Sequence, residues 1–500
     1  MGNSESQPVR NVDKRTARRD HAGRFKSAIE RYAYEAALPV CGPQFPGSEG
    51  GPPEGEGGPG SEGGLLGGPP PLGGDEGRRL KIAVRRRPIF PHEKKAGEFD
   101  VVTCGRNHLV IHDCRMHADC RRLFVDHITF RYDRVYDEHA ASADLYAGSV
   151  APLVAFAAQS RHATVLMYGQ TGSGKTYTMR AIFEAAAQDL FAAIDVAAGD
   201  TLTCAYAEIG PDGARDILNG GASAQLLADQ VGDTQIVPSV EVRVASANGL
   251  VGLLEFASAL RATSATGVHD ASSRSHAICR IAIQRHDRPK GDVGQLTLVD
   301  LAGSEMRIDS DKHDAKRTKE SAMINSSLMA LKDSVRALAR GGEWGLLAGR
   351  SPLTKVLKTS FTDPDAQTLV LATVSPAAKD TEHSLNTLRH ACIMDGQQDE
   401  ERAAAVSWTS GGDSIKEEIG DIDQKATLAK RKAEAMASRD KEAERAGGGG
   451  GGFGVGDRTM GNPIERARAQ AKKDEAAAKS AYKKQERLAW RMLLEASTDQ

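Results

Sequence analysis

A glycine-rich octapeptide that directly follows an apolar run restricts the fold of this chain more than any other segment. Residues 169–176 read Gly-Gln-Thr-Gly-Ser-Gly-Lys-Thr and come after the strand-like segment Ala163 to Tyr168. A glycine turn between a strand and a helix start directs successive backbone N–H groups at phosphate oxygens, and the helix dipole adds positive potential. The segment predicts a phosphate cradle, in which Lys175 reaches the β and γ phosphates and Thr176 binds Mg²⁺. The alternative is a flexible glycine turn.

The other residues of the octapeptide are expected to bind the nucleotide as well, because the whole loop has to surround the phosphates. These residues are Gly169, Gln170, Thr171, Gly172, Ser173 and Gly174.

Strand-like and helix-like segments alternate around this cradle, from about residue 78 to residue 399. Short apolar runs typical of buried strands recur, and amphipathic stretches separate several of them. This α/β pattern predicts a largely buried sheet with helices on both faces. The predicted strands begin at Leu80, Asp100, Leu109, Thr164, Thr201, Ala277, Gln295 and Thr368, and the predicted helices cover Ser142–Ala158, Thr176–Ala198, Leu250–Thr263, Glu320–Arg340 and Leu353–Thr359.

The flanks have a different composition from this central region. The expected segments are a basic N-terminal segment (1–41), a Gly/Pro-rich disordered linker (42–77), a charged helix with a weak coiled-coil seam (400–446), a Gly-rich linker (447–461) and a charged C-terminal helix (462–500). Ser414 and Glu417 have the spacing of a capping box, from which the first of these helices is expected to start. Pairing of its seam would give a homodimer, and the alternative is a solvated single helix.

Charge and cysteine usage exclude several function classes. The 65 Lys and Arg residues against 67 Asp and Glu residues give a formal net charge of −2, so no global attraction to nucleic acid is expected. Seven scattered cysteines without a CxxC pair are typical of reduced thiols in the cytoplasm rather than of a disulfide framework or a zinc site. No apolar stretch is long enough to span a membrane.

The N-terminus contains a pattern for lipid attachment. Met1-Gly2-Asn3-Ser4-Glu5-Ser6 fits N-myristoylation of Gly2, and a basic segment that includes Arg18 and Arg24 follows. One acyl chain with a basic segment is a typical pair of signals for peripheral membrane binding. The alternative is an ordinary terminus that leads into a basic helix with Phe25, Ile29 and Tyr32 on its apolar stripe.

Two further segments have the composition of nucleotide-sensing switches. Ser272-Ser273-Arg274-Ser275-His276 precedes a predicted strand, and its hydroxyls are suited to close over the γ-phosphate and Mg²⁺. Leu298-Val299-Asp300-Leu301-Ala302-Gly303-Ser304-Glu305 is an apolar strand that ends in an aspartate able to hold Mg²⁺ through water. Gly303 allows a backbone N–H to approach the γ-phosphate.

Taken in this order, the cradle and the two segments resemble the kinesin motor domain over about 320 residues. The resemblance implies a P-loop NTPase fold with a mostly parallel, mixed central sheet, and an ATP- and Mg²⁺-dependent ATPase that acts on microtubules in the cytoplasm and cytoskeleton. It implies that Ser272 and Gly303 act at the γ-phosphate, that Ser273 and Asp300 join Thr176 at Mg²⁺, and that Arg274 and Glu305 form a closing ion pair that positions the attacking water. A small-GTPase-like switch is a further alternative. It is disfavoured, because no segment of the sequence resembles the Asn-Lys-x-Asp element with which small GTPases read guanine.

The resemblance also assigns an adenine site. Arg85-Arg86-Arg87-Pro88 is similar to the family's Arg-x-Arg-Pro element, so Arg85 and Pro88 are expected to line the base. Tyr177 stands where the family places a ring against the base. The alternative for Tyr177 is a packed tyrosine at the start of a helix.

Within the family, several segments are most similar to the microtubule-depolymerising kinesin-13 class. Ala330–Leu338 and Leu353–Lys358 resemble its microtubule-facing helices. Lys332, Arg336, Lys355 and Lys358 are therefore expected to face acidic tubulin, and the alternative is a solvated helix face.

Three departures from the family pattern support a different hypothesis, a non-motile scaffold that binds microtubules or nucleotide without productive turnover. His269 replaces an asparagine before the first switch, and His117-Ala118-Asp119 replaces the Lys-Val-Asp loop of the depolymerising class. Gly349-Arg350-Ser351-Pro352 replaces a basic segment. The intact cradle and switch residues favour an active ATPase instead.

Overall fold

A computed structural model gives the three-dimensional structure of the chain. It describes residues 14–35, 78–210, 213–229, 232–263, 275–304, 315–339, 341–344, 349, 351–395 and 414–421. The predicted linkers, the C-terminal helix, Gly2, most of the expected coiled coil and His269 lie outside these residues.

Eleven strands form one mixed sheet, in the order β10-β9-β8-β7-β12-β13-β6-β14-β1-β5 with β11 paired to β7. Its strands are β1 (Leu80–Arg86), β5 (Arg134–Tyr136), β6 (His162–Gly169), β7 (Thr201–Gly210), β8 (Gly213–Asp216), β9 (Ala222–Ala228), β10 (Thr234–Val237), β11 (Val242–Val244), β12 (His276–Gln284), β13 (Val293–Asp300) and β14 (Ala366–Val374). The five strands from β13 to β5 are parallel, and the remaining pairs are antiparallel. The predicted α/β fold class is confirmed.

Helices cover both faces of this sheet. They are α1 (Lys14–Asp20), α2 (Ala22–Glu35), α3 (Pro91–Lys95), α4 (Ser142–Leu145), α5 (Ala151–Ala157), α6 (Lys175–Ala193), α7 (Ala247–Thr263), α8 (Ala315–Ala339), α9 (Pro352–Val356), α10 (Lys358–Thr362) and α11 (Thr381–Asp395). A π-helical turn, Tyr146–Val150, joins α4 to α5. The predicted helices are present with longer or shorter ends, and Leu353–Thr359 is divided into α9 and α10.

The alternating side chains of β6 show how the two faces are covered. Ala163, Val165 and Met167 belong to the apolar core that includes residues of α5, α6 and α7. On the opposite face, the Tyr168 hydroxyl lies 2.8 Å from His390 Nδ1 in α11. Since successive strand residues point to opposite sides of a sheet, β6 is buried on both faces, as its continuous apolar sequence predicts.

The register of the parallel strands brings their carboxyl ends to one edge. Asp300 of β13 pairs with Met167 of β6, and Gly169 of β6 pairs with Thr373 of β14. Ligand sites of open α/β sheets form outside this edge. The cradle therefore begins where three buried strands end together.

A second sheet of four strands has the order β15-β4-β3-β2, with β2 Val102–Cys104, β3 His108–Met116, β4 Arg122–Arg131 and β15 Ser414–Asp421. The predicted helix over 400–446 is wrong for Ser414–Asp421. In Lys416-Glu417-Glu418-Ile419, exposed and half-buried residues alternate, which is the period of a strand with one face on the protein. Pairing with β4 gives the β15 backbone hydrogen-bond partners on one side and overrides the local capping pattern.

The N-terminal helices are part of the same compact unit as the main sheet. The larger unit covers 10–115 and 124–419. Phe25 and Ala28 of α2 are buried, and so is the guanidinium of Arg18 in α1. The basic N-terminal segment is thus not a separate region over 14–35, and Arg18 does not face solvent.

The smaller unit includes residues 116–123, a tight turn. One Asp119 carboxylate oxygen accepts the N–H groups of Arg121 and Arg122, at 2.8 and 3.1 Å. The other accepts the Arg122 Nε–H at 2.7 Å. These hydrogen bonds lower the pKa of Asp119 and occupy its carboxylate within its own turn.

Within the described part of the chain, no helix is both long and apolar enough to cross a bilayer.

We predict that replacement of Gly294 in β13 destabilises the fold. An added Cβ at Gly294 would lie 2.0 Å from the Ala157 carbonyl oxygen of α5. We expect Gly294→Ala to lower the free energy of unfolding by roughly 1–3 kcal/mol. Gly252→Ala is the matched control, because Gly252 is an exposed position of α7 with nothing within 4 Å of the added Cβ. It should raise stability by about 0.5–1 kcal/mol. Urea unfolding measures both, and equal stability of the two variants would contradict the packing described for β13.

Candidate nucleotide-binding site

The glycine-rich loop has the backbone of a phosphate cradle between β6 and α6. Gly172 and Gly174 have φ of 76° and 105°, a region that favours glycine, and Gly174 is the residue before α6. At Gly169, φ is 151°, and an added Cβ would lie 2.4 Å from the Thr373 carbonyl oxygen. Each of these glycines is therefore required by the local geometry. The start of the 19-residue helix α6 directs its N–H groups and its dipole at the loop.

The loop is closed by its own polar side chains. Lys175 is buried, and its Nζ donates to the carbonyl oxygens of Gly169 at 2.8 Å and of Gln170 at 3.0 Å. The Ser173 hydroxyl donates to the Gln170 carbonyl at 2.7 Å and lies 2.6 Å from the Thr373 hydroxyl of β14. Gln170 and Ser173 thus stabilise the loop, while the Lys175 ammonium is placed inside it.

Thr171 differs from these residues, because it lies at the exposed tip of the loop. The Ser173 N–H donates to the Gln170 carbonyl oxygen at 3.3 Å, so Thr171 and Gly172 are the two central residues of a turn. Thr171 is exposed, and its hydroxyl makes no hydrogen bond to any residue that the structure describes. Contact of Thr171 with nucleotide stays a prediction, and its exposed side chain is open to a ligand at the tip of the loop.

A buried ion pair that the sequence analysis missed holds the outer side of the loop. Arg87 donates from Nε to the Gly172 carbonyl oxygen at 2.8 Å and binds both oxygens of Glu93 at 2.7 and 2.8 Å. This bidentate contact lowers the pKa of Glu93 to about 2. In the sequence, the only signal for Arg87 was its position inside the Arg-x-Arg-Pro element.

Asp300 at the end of β13 forms the second half of the site. Its Oδ2 accepts the Thr176 hydroxyl at 3.1 Å and lies 3.3 Å from Arg261 Nη1 of α7. Its Oδ1 is buried and accepts no hydrogen bond from the described residues. A hydroxyl beside a carboxylate with an unused buried oxygen is an oxygen donor set of the kind that Mg²⁺ prefers. Thr176 and Asp300 therefore fit the predicted metal site.

Arg261 joins the cradle to the segment before β12. Its Nη2 donates to the Ser275 carbonyl oxygen at 2.6 Å, and its Nε lies 3.5 Å from Glu208 Oε1 of β7. Ser275 donates its hydroxyl to the same carboxylate at 2.5 Å. All three side chains are buried. Sequence reasoning missed Arg261 and Glu208, because neither belongs to a motif. Glu208 reaches the site through the pairing of β7 with β12, and Arg261 reaches it from helix α7.

His276 connects the end of β13 with α8. Its Nδ1 accepts the Ala302 N–H at 3.1 Å, and its Nε2 lies 2.8 Å from the Ser327 hydroxyl. The first contact requires an unprotonated Nδ1. Burial, together with the charges of Arg261 and Lys175, lowers the pKa of His276 to about 3.

The chain after Asp300 turns back over the cradle. The Ser304 N–H donates to the Gly169 carbonyl at 3.1 Å, and the Ser304 hydroxyl lies 3.1 Å from the Thr387 hydroxyl of α11. Gly303 is buried between these contacts. The second switch segment is thus in contact with the cradle and with α11 at the same residue.

The predicted adenine residues lie beside the start of α6. The Tyr177 ring is 71% exposed, and the Arg85 guanidinium lies 5.5 Å from its centroid. Arg85 also donates to the Thr178 hydroxyl at 3.0 Å, and Pro88 is exposed. Tyr177 is therefore not a packed helix-start tyrosine, and the exposed pair offers a face on which a base can stack.

The four residues expected to face tubulin differ in exposure. Lys332 is buried, its Nζ lies 3.0 Å from Met329 Sδ, and burial lowers its pKa to about 8. The expectation that Lys332 faces tubulin is therefore wrong, because α8 turns this position inward. Arg336 lies 3.8 Å from Asp333, and Lys355 is exposed. Lys358 is half-buried and donates to the Gly232 carbonyl oxygen at 3.3 Å.

The side chains predicted to act on the γ-phosphate lie largely outside the described residues. These are Ser272, Ser273, Arg274 and Glu305. Of the described flanking residues, Ser304 contacts the cradle at Gly169, and Ser275 contacts Arg261, which lies beside Asp300.

Comparison with known proteins finds similarity in the part of the chain that contains the main sheet and the cradle. A family model described as "Kinesin motor domain" matches residues 85–395. "Diatom spindle kinesin-1" of Cylindrotheca fusiformis is 38% identical over 326 residues, which are 65% of this chain and 51% of that protein. "Kinesin-like protein KIN-13B" of Arabidopsis thaliana is 35% identical over 322 residues, 63% of this chain and 46% of that protein. The chain thus matches about half the length of these two relatives.

Solved structures show the same fold. A structure described as that of a fast kinesin has a TM-score of 0.55 and is 27% identical in sequence. The match covers 63% of this chain and 91% of the chain in that structure. A structure of a KIF14 dimer with AMP-PNP in complex with a microtubule has a TM-score of 0.55 and is 28% identical in sequence. The match covers 64% of this chain and 94% of the chain in that structure.

We predict that His276 makes folding stability depend on pH below its ordinary pKa. The folded pKa of about 3 lies below the unfolded value of 6.5, so the unfolded chain takes up the proton first and stability is lost as the pH falls. Between pH 5.5 and 4.5, protonation of His276 in the unfolded chain should lower the free energy of unfolding by about 1.4 kcal/mol for each pH unit. His276→Asn should reduce the slope of unfolding free energy against pH by this amount. An unchanged slope, measured by urea unfolding at each pH, would show that His276 is not buried in its neutral form.

Proposed function

The chain belongs to the kinesin motor domain family, and from that premise we propose that it is a microtubule-dependent ATPase that binds and hydrolyses Mg²⁺-ATP. The observation that supports this most strongly is the contact of Thr176 with Asp300, which joins the phosphate cradle to the second switch strand. A bare glycine loop binds phosphate, whereas hydrolysis requires a sensor of the γ-phosphate at the same place. In this chain, Asp300, Ala302 and Ser304 supply the described part of that sensor.

We assign the binding steps to residues of the cradle. The N–H groups at the start of α6 and the Lys175 ammonium bind the phosphates, and Arg85 with Tyr177 stacks on the adenine. Thr176 and Asp300 hold Mg²⁺, which neutralises phosphate charge when it is bound. Gly303 lets its N–H approach the γ-phosphate. By resemblance, Arg274 and Glu305 close the site, Ser272 contacts the γ-phosphate, and Ser273 completes the metal site.

We assign the response to the γ-phosphate to β13 and α8. The Ala302 N–H and the Ser327 hydroxyl contact opposite nitrogens of the same His276 ring. Movement of the segment after Asp300 therefore changes a contact of α8 directly. This arrangement supports a motor in which loss of the γ-phosphate shifts α8 and alters the affinity for tubulin.

We propose shortening of microtubule ends as the output, with movement along the microtubule as the competing result. The identity with KIN-13B supports a place near the kinesin-13 class, while the identity with the diatom spindle kinesin is of similar size. Asp119 is engaged within its own turn, which weakens the comparison with the Lys-Val-Asp loop. ATP-dependent shortening of stabilised microtubules would support depolymerisation, and gliding without shortening would contradict it.

A non-motile scaffold is the second candidate function. Buried Lys332 and the contact of Arg336 with Asp333 remove or weaken two of the four expected tubulin contacts, which favours weak or unproductive binding. Attachment of a myristoylated Gly2 to membrane and pairing of the tail remain predictions. Arg18 does not contribute to a membrane-binding basic surface in the described structure, because its guanidinium is buried.

We predict that two substitutions separate nucleotide binding from hydrolysis. Lys175→Ala should abolish binding of a fluorescent ATP analogue, because it removes the buried ammonium of the cradle. Glu305→Ala should keep binding within about threefold and lower phosphate release by about 100-fold or more, since a group that acts in the transition state affects turnover rather than affinity. Equal loss of binding in both variants would contradict the role assigned to Glu305.

We predict that Lys355 contributes to microtubule affinity through its charge. Lys355→Gln should weaken binding about twofold to fivefold at low salt, the equivalent of ~0.4–1 kcal/mol, and the difference should decrease as salt screens the charge. Lys290→Gln removes the same charge from the exposed turn between β12 and β13 and is the matched control. Cosedimentation measures both, and identical affinities would contradict a tubulin-facing role for α9.

A further inference from the structure

Two segments outside the family match dock on the same part of the motor unit. Residues 14–35 precede the matched region 85–395, and Ser414–Asp421 follows it. The first segment forms α1 and α2, and the second adds strand β15 to the edge of β4. The family match therefore does not explain the contacts of either segment.

Arg18 anchors the first segment with a fully used guanidinium. Its Nη1 and Nη2 donate to the two oxygens of Glu382 in the first turn of α11, both at 2.8 Å. Nη2 also donates to Asp113 of β3 at 2.8 Å, while Nε and Nη1 donate to the carbonyl oxygens of Cys114 and Ala378 at 3.1 Å each. The side chain is 2% exposed. Such a site binds arginine specifically, since no other side chain presents this planar set of donors.

The helix α2 binds the second segment directly. Arg24 donates to the Ile419 carbonyl oxygen at 2.7 Å, and Arg31 pairs with the Glu417 carboxylate. Tyr32 stacks on His127 of β4 with the ring centroids 4.0 Å apart, and His127 Nε2 lies 3.2 Å from Glu417. The N-terminal helix and the C-terminal strand therefore stabilise each other on the four-stranded sheet.

We propose that α1, α2 and β15 form one clamp on the four-stranded sheet and α11, and that closure of this clamp is coupled to nucleotide binding at the cradle. The coupling rests on the proposed function, because it requires that the cradle binds ATP. The physical connection is α11. Its Glu382 holds Arg18, and its Thr387 lies 3.1 Å from the hydroxyl of Ser304, whose N–H contacts the cradle at Gly169.

Two consequences follow from this arrangement. First, the two segments should open together, because each buries part of the other, and cooperative units exchange amide hydrogens together. Secondly, the coupling must be reciprocal: if nucleotide changes the stability of the clamp, then the loss of the clamp changes nucleotide affinity by the same factor. Loss of Arg18 leaves Glu382 and Asp113 without this partner in a largely buried position, so it should open the clamp.

The proposal is tested by hydrogen–deuterium exchange of the full chain with Arg18→Gln. Arg19→Gln is the matched control, since Arg19 is the next residue and its side chain is 68% exposed. Without nucleotide, we expect Arg18→Gln to raise the rate of amide hydrogen exchange in 14–35 and also in 414–421. Arg18 makes no contact with 414–421 in the described structure, so the second effect would be indirect. Arg19→Gln should match the wild-type protein. Faster exchange confined to 14–35 would overturn the single clamp.

The coupling is measured in the same samples with ADP and with AMP-PNP. We expect the two nucleotides to give amide exchange rates in both segments that differ at least about fivefold in the wild-type protein, and Arg18→Gln to change the ratio of the affinities for ADP and AMP-PNP by the same factor. Arg31→Gln, which removes a half-exposed contact at the far end of α2, is the second variant should Arg18→Gln unfold. It is expected to raise exchange in both segments less strongly.

Fluorescent-nucleotide binding separates the possible failures. If the protein does not bind ATP analogues, the proposed function fails. If it binds them and exchange in 14–35 and 414–421 is the same with ADP and AMP-PNP, the coupling is overturned while the ATPase proposal stands.

Discussion

The carboxylate of Asp300 is the contact on which the rest of the site depends. It ends a buried parallel strand, and one of its oxygens is held by Thr176 from the cradle and by Arg261 from α7. Its position follows from the sheet, since β13 lies beside β6 and the two strands end together. A carboxylate in a buried place is stable only with such partners. Through Asp300, helices α6 and α7 are connected to the end of β13, where the second switch segment continues.

Most features of this site that depend on residues close together in the chain could be predicted from the sequence. The glycines of the cradle, Lys175 and the ends of the buried strands follow from composition and spacing within a few residues, and the structure agrees with them. The place of Tyr177 was implied only by the family resemblance, and its exposure is a finding of the structure. The contacts of Arg261, Glu208 and Arg87 could not be predicted from spacing. Arg261 meets Asp300, and Arg87 meets the Gly172 carbonyl oxygen, only in the folded chain, and Glu208 reaches the site because β7 pairs with β12. The sequence also could not place Lys332 inward, since an amphipathic pattern does not give the rotation of α8 against α11.

The second sheet illustrates the same limit for secondary structure. The capping pattern at Ser414 favours a helix locally, while the free edge of β4 and the side chains of α2 favour a strand. Tertiary contacts decide between the two, as is common for segments of weak intrinsic preference. As a result, a segment expected to belong to a charged helix forms a strand instead, and α11 contacts both the second switch segment and α1. The cradle lies within the residues that the family model matches, and the contacts of the flanks lie outside them.

The most direct test of the account is phosphate release by the full chain, measured without tubulin, with free tubulin and with stabilised microtubules. The account predicts slow release alone, and stimulation by about tenfold or more with tubulin or microtubules, because it proposes that α8 couples the second switch segment to the affinity for tubulin. Lys175→Ala should remove release under all three conditions. Release that is unaffected by either form of tubulin would contradict the account and favour a nucleotide-binding scaffold.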